Sequence, residues 1–489
     1  MDAFDSEQLR EENRRLADEN RQLRGEAASL RGELAAVRKE LDELRQQHNQ
    51  LLDQHKRLLD LIESQQRASM RQAAPFRREP HRLVEIGHKK RPGRKAGHPG
   101  FYRREPEHID EVIDVPLERC PRCGGGVWGV ELVEQIVEEI PVLRPRVYAV
   151  RTRRGQCGCC GKVSSTHPLV SSWGTGCCKA RLGPRAVSAG AFLNKALGLT
   201  MRKTVSVLGK LFGLKLTAGG LSQALVRLAD RASLEHQKLT ETIRGSPAVY
   251  ADETSWYVGD DGGGTQGSNW LWTFTTPEAT LYRVDRRSSD VVKTVLAEDF
   301  GGVLVSDCLA SYNPMECRKH KCIAHHLRAI KEARELPGNT DASYLDAWKT
   351  LFKQTILLCK LREEGKRGGD GIPSESFAIG RANLESEKVR LLTMPVGQPG
   401  DIRIRNRLAK HDEHLLRCLS SADVDPTNNR AERALRPAVI ARKLSCGNRS
   451  RRGQHAWEIL ASLAATAQQT GKDFIDSMIP LLQRTTYAR

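Results

Sequence analysis

The clearest hydrophobic pattern in the chain is a seven-residue repeat over its first 66 residues. An apolar residue stands at every seventh position, and Glu, Arg and Gln fill most of the positions between. Eight unbroken heptads predict a leucine-zipper coiled coil over residues 1–66. The d positions are Leu9, Leu16, Leu23, Leu30, Val37, Leu44, Leu51 and Leu58, and the a positions are Asn13, Asn20, Ala27, Leu34, Leu41, His48, His55 and Ile62.

Asn13 and Asn20, both at a positions, bear on how many chains the coil contains. A buried Asn at a favours a parallel dimer held in one register. The alternative is an amphipathic helix packed on the chain's own core, which the length and the strict period disfavour. We therefore expect a homodimer joined through residues 1–66.

The period is lost over residues 67–118, which contain PFRREP, KKRPGRKAGHPG and REPEHID. Proline and glycine among basic residues predict an extended basic linker or arm. Between Arg67 and Arg104 there are twelve Lys or Arg and two acidic residues, in a chain of net charge +18. Such a strip is attracted to phosphate backbones, although a solvated linker is the alternative. The candidate DNA contacts are Lys89, Lys90, Arg91, Arg94 and Lys95.

Two C-x₂-C pairs, each followed by Gly, predict a zinc ribbon over residues 119–166. The chain has thirteen cysteines and no secretory signal, which argues against disulfides and for metal binding. The alternating segments VELVEQIVEEIPV and RPRVYAVRTRR between the pairs predict strands. Four thiolates suit tetrahedral Zn²⁺, with reduced free cysteines as the alternative. The expected ligands are Cys120, Cys123, Cys157 and Cys160, with Cys159 as a substitute for one of them.

Residues 167–244 have a helical pattern, with apolar residues at i, i+3 and i+4. Thr217 is the expected N-cap of the longest helical segment. Short helices joined by Gly-containing turns fit a helix-turn-helix DNA reader and a packing module equally well.

Residues 245–312 follow the order β-β-β-α-β, and two of the predicted strands lead into aspartates, Asp252 and Asp307. If these strands are neighbours, the two carboxylates lie side by side. They then repel unless one is protonated or a divalent cation binds between them. Hard oxygen ligands favour Mg²⁺, so the pattern predicts a metal site that needs a third carboxylate.

The candidate for the third carboxylate is Glu432, in PTNNRAERALRPAVIARK. We expect a helix that Pro437 ends or kinks. Arginines around Glu432 predict phosphate contacts at a nuclease-like site, with a surface ion-pair array as the alternative. These arginines are Arg430, Arg433 and Arg436.

Other acidic residues compete for a place in the site. Glu253 follows Asp252 directly, but on a strand it faces the opposite side. Asp260 and Asp261 lie in a Gly-rich turn, and Asp425 is the best substitute for Glu432.

The motifs YADET, LVSD and NNRAERALRP follow the zipper, the GRKAGHPG arm and the paired cysteines in order. In this combination the chain resembles the TnpC-type DDE transposases of the bacterial insertion sequence sixty-six family, over nearly its whole length. The resemblance implies a ribonuclease-H-like core over residues 245–312 and 420–489, interrupted by a mostly helical insertion at 313–419. It also implies that Asp252, Asp307 and Glu432 form the acidic triad that binds Mg²⁺ or Mn²⁺.

KCIAHHLR resembles the Cys-x₂-His stretch of that family, which singles out Cys322 and His325. They are either metal ligands or the packed start of a helix. Ile323 stands where the family usually has Trp, and Cys308 and Leu309 replace its usual Gly-Tyr pair after the second aspartate.

The expected protein is a multidomain α+β DNA transposase that cleaves transposon ends and transfers the strands to target DNA. No apolar run is long enough for a membrane span, so we expect it in the cytoplasm, with DNA and small accessory proteins of the same element as partners. One alternative is a non-catalytic DNA-binding regulator built from the ribbon and the zipper. Another is a ribonuclease-H-like nuclease outside transposition.

Deletion of residues 1–66 tests the dimer prediction. The shortened protein should sediment at half the mass of the full-length assembly or less, because the zipper supplies the main dimer contact. A subunit number unchanged in analytical ultracentrifugation would rule out this contact.

Overall fold

The computed structural model describes residues 11–50 with gaps at 13, 17, 20, 23, 27–30 and 36, and residues 104–169, 181–259, 269–366 and 371–483. Contacts divide the chain into two units, Met1–Leu83 and Val84–Arg489. None of the described helices combines the length and the apolar character that a membrane span needs. The proposed arm contacts lie outside the described residues, namely Lys89, Lys90, Arg91, Arg94 and Lys95.

The first helix, α1, contains the described residues between 11 and 50. Leu34, Val37, Leu41 and Leu44 of the heptad repeat are 47% to 62% exposed in the single chain. A coiled coil buries such an apolar stripe against a second chain. The predicted helix is confirmed here, and dimerisation stays a prediction.

One antiparallel hairpin, β1 (Arg154–Cys157) with β2 (Gly161–Ser164), stands in the otherwise irregular segment 104–169. The strands predicted for VELVEQIVEEIPV and for most of RPRVYAVRTRR are wrong, because residues 130–153 form no strand. Alternation supplies an apolar face, but a strand also needs a neighbour for its backbone hydrogen bonds. Among the described residues these segments have no such neighbour.

Helices from both ends of the second unit share one core. α2 (Pro184–Ala191) continues through a π-helical turn, and α3 (Met201–Phe212) and α4 (Ala218–Arg244) follow. The Thr217 side chain accepts a hydrogen bond from the Gly220 N–H at 3.1 Å, which confirms the predicted N-cap. Leu221, Leu225 and Leu228 of α4 pack in a cluster with two helices near the end of the chain. Those helices are α13 (Arg451–Gln469) and α14 (Phe474–Gln483).

Five strands form one mixed sheet in the order β5-β4-β3-β6-β7. Neighbouring strands β3, β4 and β5 are antiparallel, whereas β6 runs parallel to both β3 and β7. Their bounds are β3 Ala248–Trp256, β4 Asn269–Thr275, β5 Thr280–Asp285, β6 Val303–Ser306 and β7 Arg318–Lys321. The predicted α+β class is confirmed.

Helices cover both faces of the central strands. Tyr250 and Val305 lie in one core with Trp348, and Val249 and Leu304 lie in another, on the opposite face. The first core includes the helix Ser343–Lys366, and the second includes the helix Ser289–Leu296. The remaining helices of the second unit are α5 Ser289–Leu296, α6 Ile323–Arg334, α7 Ser343–Lys366, α8 Ser374–Thr393, α9 Pro399–Ala409, α10 Asp412–Leu415, α11 Arg417–Ser420 and α12 Asn429–Ser445, with a 3₁₀ turn at Ala310–Tyr312.

The outer edge of β5 is closed by side chains of α13. The backbone N–H of Tyr282 donates to Ser462 Oγ at 2.9 Å, and that of Val284 donates to Glu458 Oε1 at 2.7 Å. Two residues along a strand span about 6.7 Å and four residues along a helix about 6.0 Å, so the two spacings are similar. The free strand edge is thereby protected from pairing with another chain.

Candidate active site

The register of two parallel strands places Asp252 and Asp307 side by side. Tyr250 of β3 pairs with Val305 of β6, so the residues two positions further along lie at the same level. Asp252 Oδ1 accepts a hydrogen bond from the Glu253 N–H at 3.0 Å. Asp307 Oδ1 likewise accepts one from the backbone two residues on, at 2.8 Å. Both side chains are therefore oriented by their own backbone.

Glu432 lies in the first turn of α12, far from the aspartates in sequence. Its helix packs against the sheet through Leu435 and Ala438, which share a cluster with strand residues. The helix continues through Pro437 to Ser445, so this proline does not end it, and the alternative expectation of a kink stays a prediction.

The loop before α12 is anchored to β3 at two neighbouring residues, Tyr250 and Ala251. Tyr250 Oη donates to the Asp423 carbonyl at 3.1 Å and accepts from the Asp425 N–H at 2.7 Å. Asn428 Nδ2 donates to the carbonyl of Ala251, the residue before Asp252, at 2.7 Å. These bonds hold the start of α12 beside the strand that carries the first aspartate.

The same loop is tied to the start of α6 through Cys322, which is fully buried. The Cys322 sulfur accepts a hydrogen bond from the Asn428 N–H at 3.1 Å, and the Cys322 N–H donates to the Ser306 carbonyl at 2.9 Å. Ser306 directly precedes Asp307. Cys322 thus links the element that bears Glu432 to the strand that bears Asp307, so its contacts are structural.

Asp252 lies within range of the charges of both Asp307 and Glu432. Burial raises the pKa of the half-buried Asp252 to about 7, with further contributions from Glu253, Asp307 and Glu432. Burial lowers the pKa of His325, and the charges of Asp307 and Glu432 oppose that shift. His325 is therefore also close enough to be affected by two of the three carboxylates.

These carboxylates have the chemistry of a magnesium site, since three hard oxygen donors that repel one another favour a bound divalent cation. In the described part of the chain, no three His, Cys, Asp or Glu side chains stand close enough to hold a metal ion as they are. Metal binding therefore requires these side chains to draw together.

Glu253 has a different role from its neighbour. Its side chain is 4% exposed and pairs with Arg287 Nη2 at 2.8 Å, and it accepts a hydrogen bond from Tyr312 Oη at 2.6 Å. The Arg287 guanidinium also lies 4.0 Å from the centre of the Trp270 ring. Glu253 is thus held away from the triad.

Lys321 is a site residue that sequence reasoning missed. Its buried Nζ donates to the Asp307 carbonyl at 2.8 Å and to Ser306 Oγ at 3.1 Å. Burial lowers the pKa of Lys321 to about 8. The strand β7, Arg318–Lys321, reads RKHK and has no apolar residue, so nothing in the pattern marked it as part of the sheet.

The three arginines near Glu432 are not equivalent. Arg430 lies 3.5 Å from Asp425 and over the Tyr250 ring, so it is engaged within the protein. Arg433 and Arg436 are exposed. The alternative third carboxylate, Asp425, is therefore already paired with a cation.

The two cysteine pairs each form a tight turn. The Cys120 N–H donates to the Gly125 carbonyl at 2.8 Å, and Cys157 ends β1. Backbone N–H groups lower the pKa of the Cys120 thiol, and the N–H of Cys160 does so for Cys157. Cys123 and Cys159 are exposed. As they stand, the four predicted ligands do not form one metal-holding group among the described residues.

The chain is similar to known proteins over more than half of its length. A family model described as "Transposase IS66 family" matches residues 179–456, which include all three carboxylates but not the cysteine pairs. "Uncharacterized protein y4qI" of Sinorhizobium fredii (strain NBRC 101917 / NGR234) is 26% identical over 416 residues, covering 77% of this chain and 73% of the relative. "Uncharacterized protein y4jD" of the same strain is 22% identical over 414 residues, covering 79% and 78%.

The raised pKa of Asp252 predicts a pH-dependent stability. The folded chain keeps this proton up to about pH 7, whereas the unfolded chain loses it near the ordinary value of 3.8. The free energy of unfolding should therefore fall by up to about 4 kcal/mol as pH rises through this window, and then level off.

Asp252→Asn removes this charge and so tests the shift. Without added divalent cations, its Tm in scanning calorimetry should exceed that of the wild type at pH 8, and the difference should shrink at pH 5. An equal difference at both pH values would contradict the assigned shift.

Proposed function

Because the chain belongs to the IS66 family of transposases, we propose that it cleaves DNA at the ends of a mobile element and joins the freed 3′-hydroxyls to target DNA. The family expected from the sequence motifs is confirmed, and the chemistry and its residues are the proposal. Asp252, Asp307 and Glu432 form the acidic triad. The observation that carries the proposal is the register of β3 and β6, which sets Asp252 beside Asp307, together with the Asn428 bond that holds the start of the Glu432 helix beside Asp252.

The strand order supports a ribonuclease-H-like core for this reaction. Three antiparallel strands followed by two parallel ones place β3 in the centre, with Asp252 next to the end of β6. The two parts of this core are residues 245–312 and 420–489. The intervening segment 313–419 also supplies the fifth strand, β7, before its helices begin.

Asp252, Asp307 and Glu432 would hold Mg²⁺ or Mn²⁺. Such ions neutralise charge at the phosphate and activate an attacking water or hydroxyl. The protein's part is to set the three carboxylates at fixed positions. Lys321 orients the backbone of Asp307, and Asn428 orients the helix of Glu432 against the strand of Asp252.

Arg433 and Arg436 are the proposed phosphate contacts beside the triad. Both are exposed on the helix that carries Glu432, and arginine suits bidentate binding of phosphate oxygens. The sequence also predicts a DNA contact for Arg430, but its pairing with Asp425 suits it better to support the loop.

The non-catalytic regulator remains the alternative to an enzyme. It accounts for the basic charge and the zipper, but it gives no reason to gather three carboxylates at a cost in stability. Only the enzyme should cleave DNA in the presence of Mg²⁺, so a cleavage assay distinguishes the two functions.

Substitution of each triad residue tests the catalytic proposal. Asp252→Asn, Asp307→Asn and Glu432→Gln should each lower Mg²⁺-dependent cleavage of DNA carrying the element's ends by about 100-fold or more. DNA binding and the Tm without metal should not fall, because each replacement keeps the size of the side chain and removes a repulsive charge. Cleavage would be measured on denaturing gels.

Asp425→Asn is the matched control, since it neutralises a nearby carboxylate outside the triad. It should cleave within a few-fold of the wild type. Normal cleavage by any of the three triad variants would remove that residue from the site.

We also propose that Cys120, Cys123, Cys157 and Cys160 hold one Zn²⁺. The two tight turns and the lowered pKa values of the Cys120 and Cys157 thiols support this, since zinc binds thiolates. Protein purified without added metal should contain about one zinc per chain by mass spectrometry. Cys157→Ser with Cys160→Ser should lose it, and less than half an equivalent in the wild type would contradict the ribbon.

A further inference from the structure

Charge is unevenly distributed between Glu139 and Asp230. Residues 140–229 contain fifteen Lys or Arg and no Asp or Glu, in a chain that has 60 acidic residues among 489. This segment includes the cysteine hairpin and the helices α2 and α3. It is separate in sequence from the basic arm and from the triad.

The described cations of this segment lie largely at the surface. Arg144 and Arg146 are exposed in the irregular segment before the hairpin. Lys210 is exposed near the end of α3, and Lys215 is exposed in the turn that follows. Other exposed cations of the segment are Arg151, Arg153, Arg154, Lys162, Arg202 and Lys203.

The irregular segment with Arg144 and Arg146 contacts the turn near Lys210 and Lys215. Gly213 ends α3 in a left-handed conformation, with φ of 66°, and a Cβ built there would lie 3.2 Å from Pro145 Cδ. Arg144 and Arg146 flank that proline, and Lys210 and Lys215 lie within three residues of the glycine. We call these four cations, Arg144, Arg146, Lys210 and Lys215, the basic surface.

The basic surface has no compensating negative charge of its own. Among the described residues no carboxylate forms an ion pair with any of its four side chains. Like charges gathered in this way repel one another, and a polyanion relieves that repulsion. A duplex DNA backbone offers a regular row of phosphates, and its binding releases condensed counterions.

We propose that the basic surface docks duplex DNA through its phosphates, separately from the triad. The proposal rests on the proposed function only for the class of partner. Contacts of this kind position DNA without reading its sequence. The helices next to Lys210 and Lys215 pack in a shared core with α13 and α14, and Pro145 contacts the turn between them at Gly213.

The test measures binding of a fluorescein-labelled duplex of arbitrary sequence by full-length protein, without divalent cations, over a series of NaCl concentrations. The variant with Arg144→Gln, Arg146→Gln, Lys210→Gln and Lys215→Gln should bind at least about tenfold more weakly. The slope of log K against log salt should become shallower by about one for each phosphate that the variant no longer neutralises.

Two further variants separate charge from structure. Lys331→Gln, Lys353→Gln, Lys360→Gln and Lys472→Gln together remove four exposed charges elsewhere and should leave the affinity within about twofold. The exchange Arg144→Lys, Arg146→Lys, Lys210→Arg and Lys215→Arg keeps the charges and should keep the binding. If the quadruple Gln variant fails to fold, Lys210→Gln with Lys215→Gln should still show half of the slope change.

Equal binding by the basic-surface variant and the control variant would overturn the proposal. Tighter binding of a single-stranded RNA of the same length, with the same weakening in the variant, would assign the surface to RNA instead. Failure of the catalytic proposal is a different result, because the Asp252→Asn protein should bind the duplex like the wild type whether or not it cleaves.

Discussion

The convergence of three carboxylates from distant parts of the chain is the constraint on which the rest of the site depends. Asp252 and Asp307 are neighbours because β3 and β6 are parallel and in register. Glu432 joins them only because the loop before α12 is bonded to β3 through Tyr250 and Asn428. Burial, and to a smaller extent the charges of Asp307 and Glu432, raise the pKa of Asp252 to about 7, and a cation bound at the proposed site would oppose that shift.

Two cations near the three carboxylates bind other groups. Arg287 neutralises Glu253 on the far face of the strand, and Lys321 binds the backbone rather than the carboxylate of Asp307. Neither Arg287 nor Lys321 is paired with a carboxylate of the proposed triad. The acid-free segment 140–229 has the opposite charge, and this separation of charge agrees with the metal binding and the DNA binding proposed for the two regions.

The strands of the candidate site could be predicted from the sequence where the hydrophobic pattern was strong. Apolar runs indicated β3 and β6, and Asp252 and Asp307 indicated where the candidate site lies, although β3 continues past Asp252 to Trp256. The motif around Glu432 was distinctive, but that its loop bonds to Tyr250 and to Cys322 depends on tertiary contacts. Such contacts leave no periodic signal in the sequence.

The predictions that were wrong also depended on tertiary contacts. β7 was missed because its residues, Arg318–Lys321, are all basic, although three of the four are buried. The strands predicted for residues 130–153 did not form because alternation alone supplies no neighbouring backbone. Pro437 does not end its helix, since α12 continues past it to Ser445.

Anomalous diffraction from crystals of the full-length protein soaked in Mn²⁺ would locate the metal directly. We expect manganese bound to carboxylate oxygens of Asp252 and Asp307, with Glu432 drawn toward the same ions, at about 2.0–2.3 Å. If no manganese binds these aspartates, or if the Glu432 side chain stays out of reach of it with DNA bound, the three residues do not form a metal site.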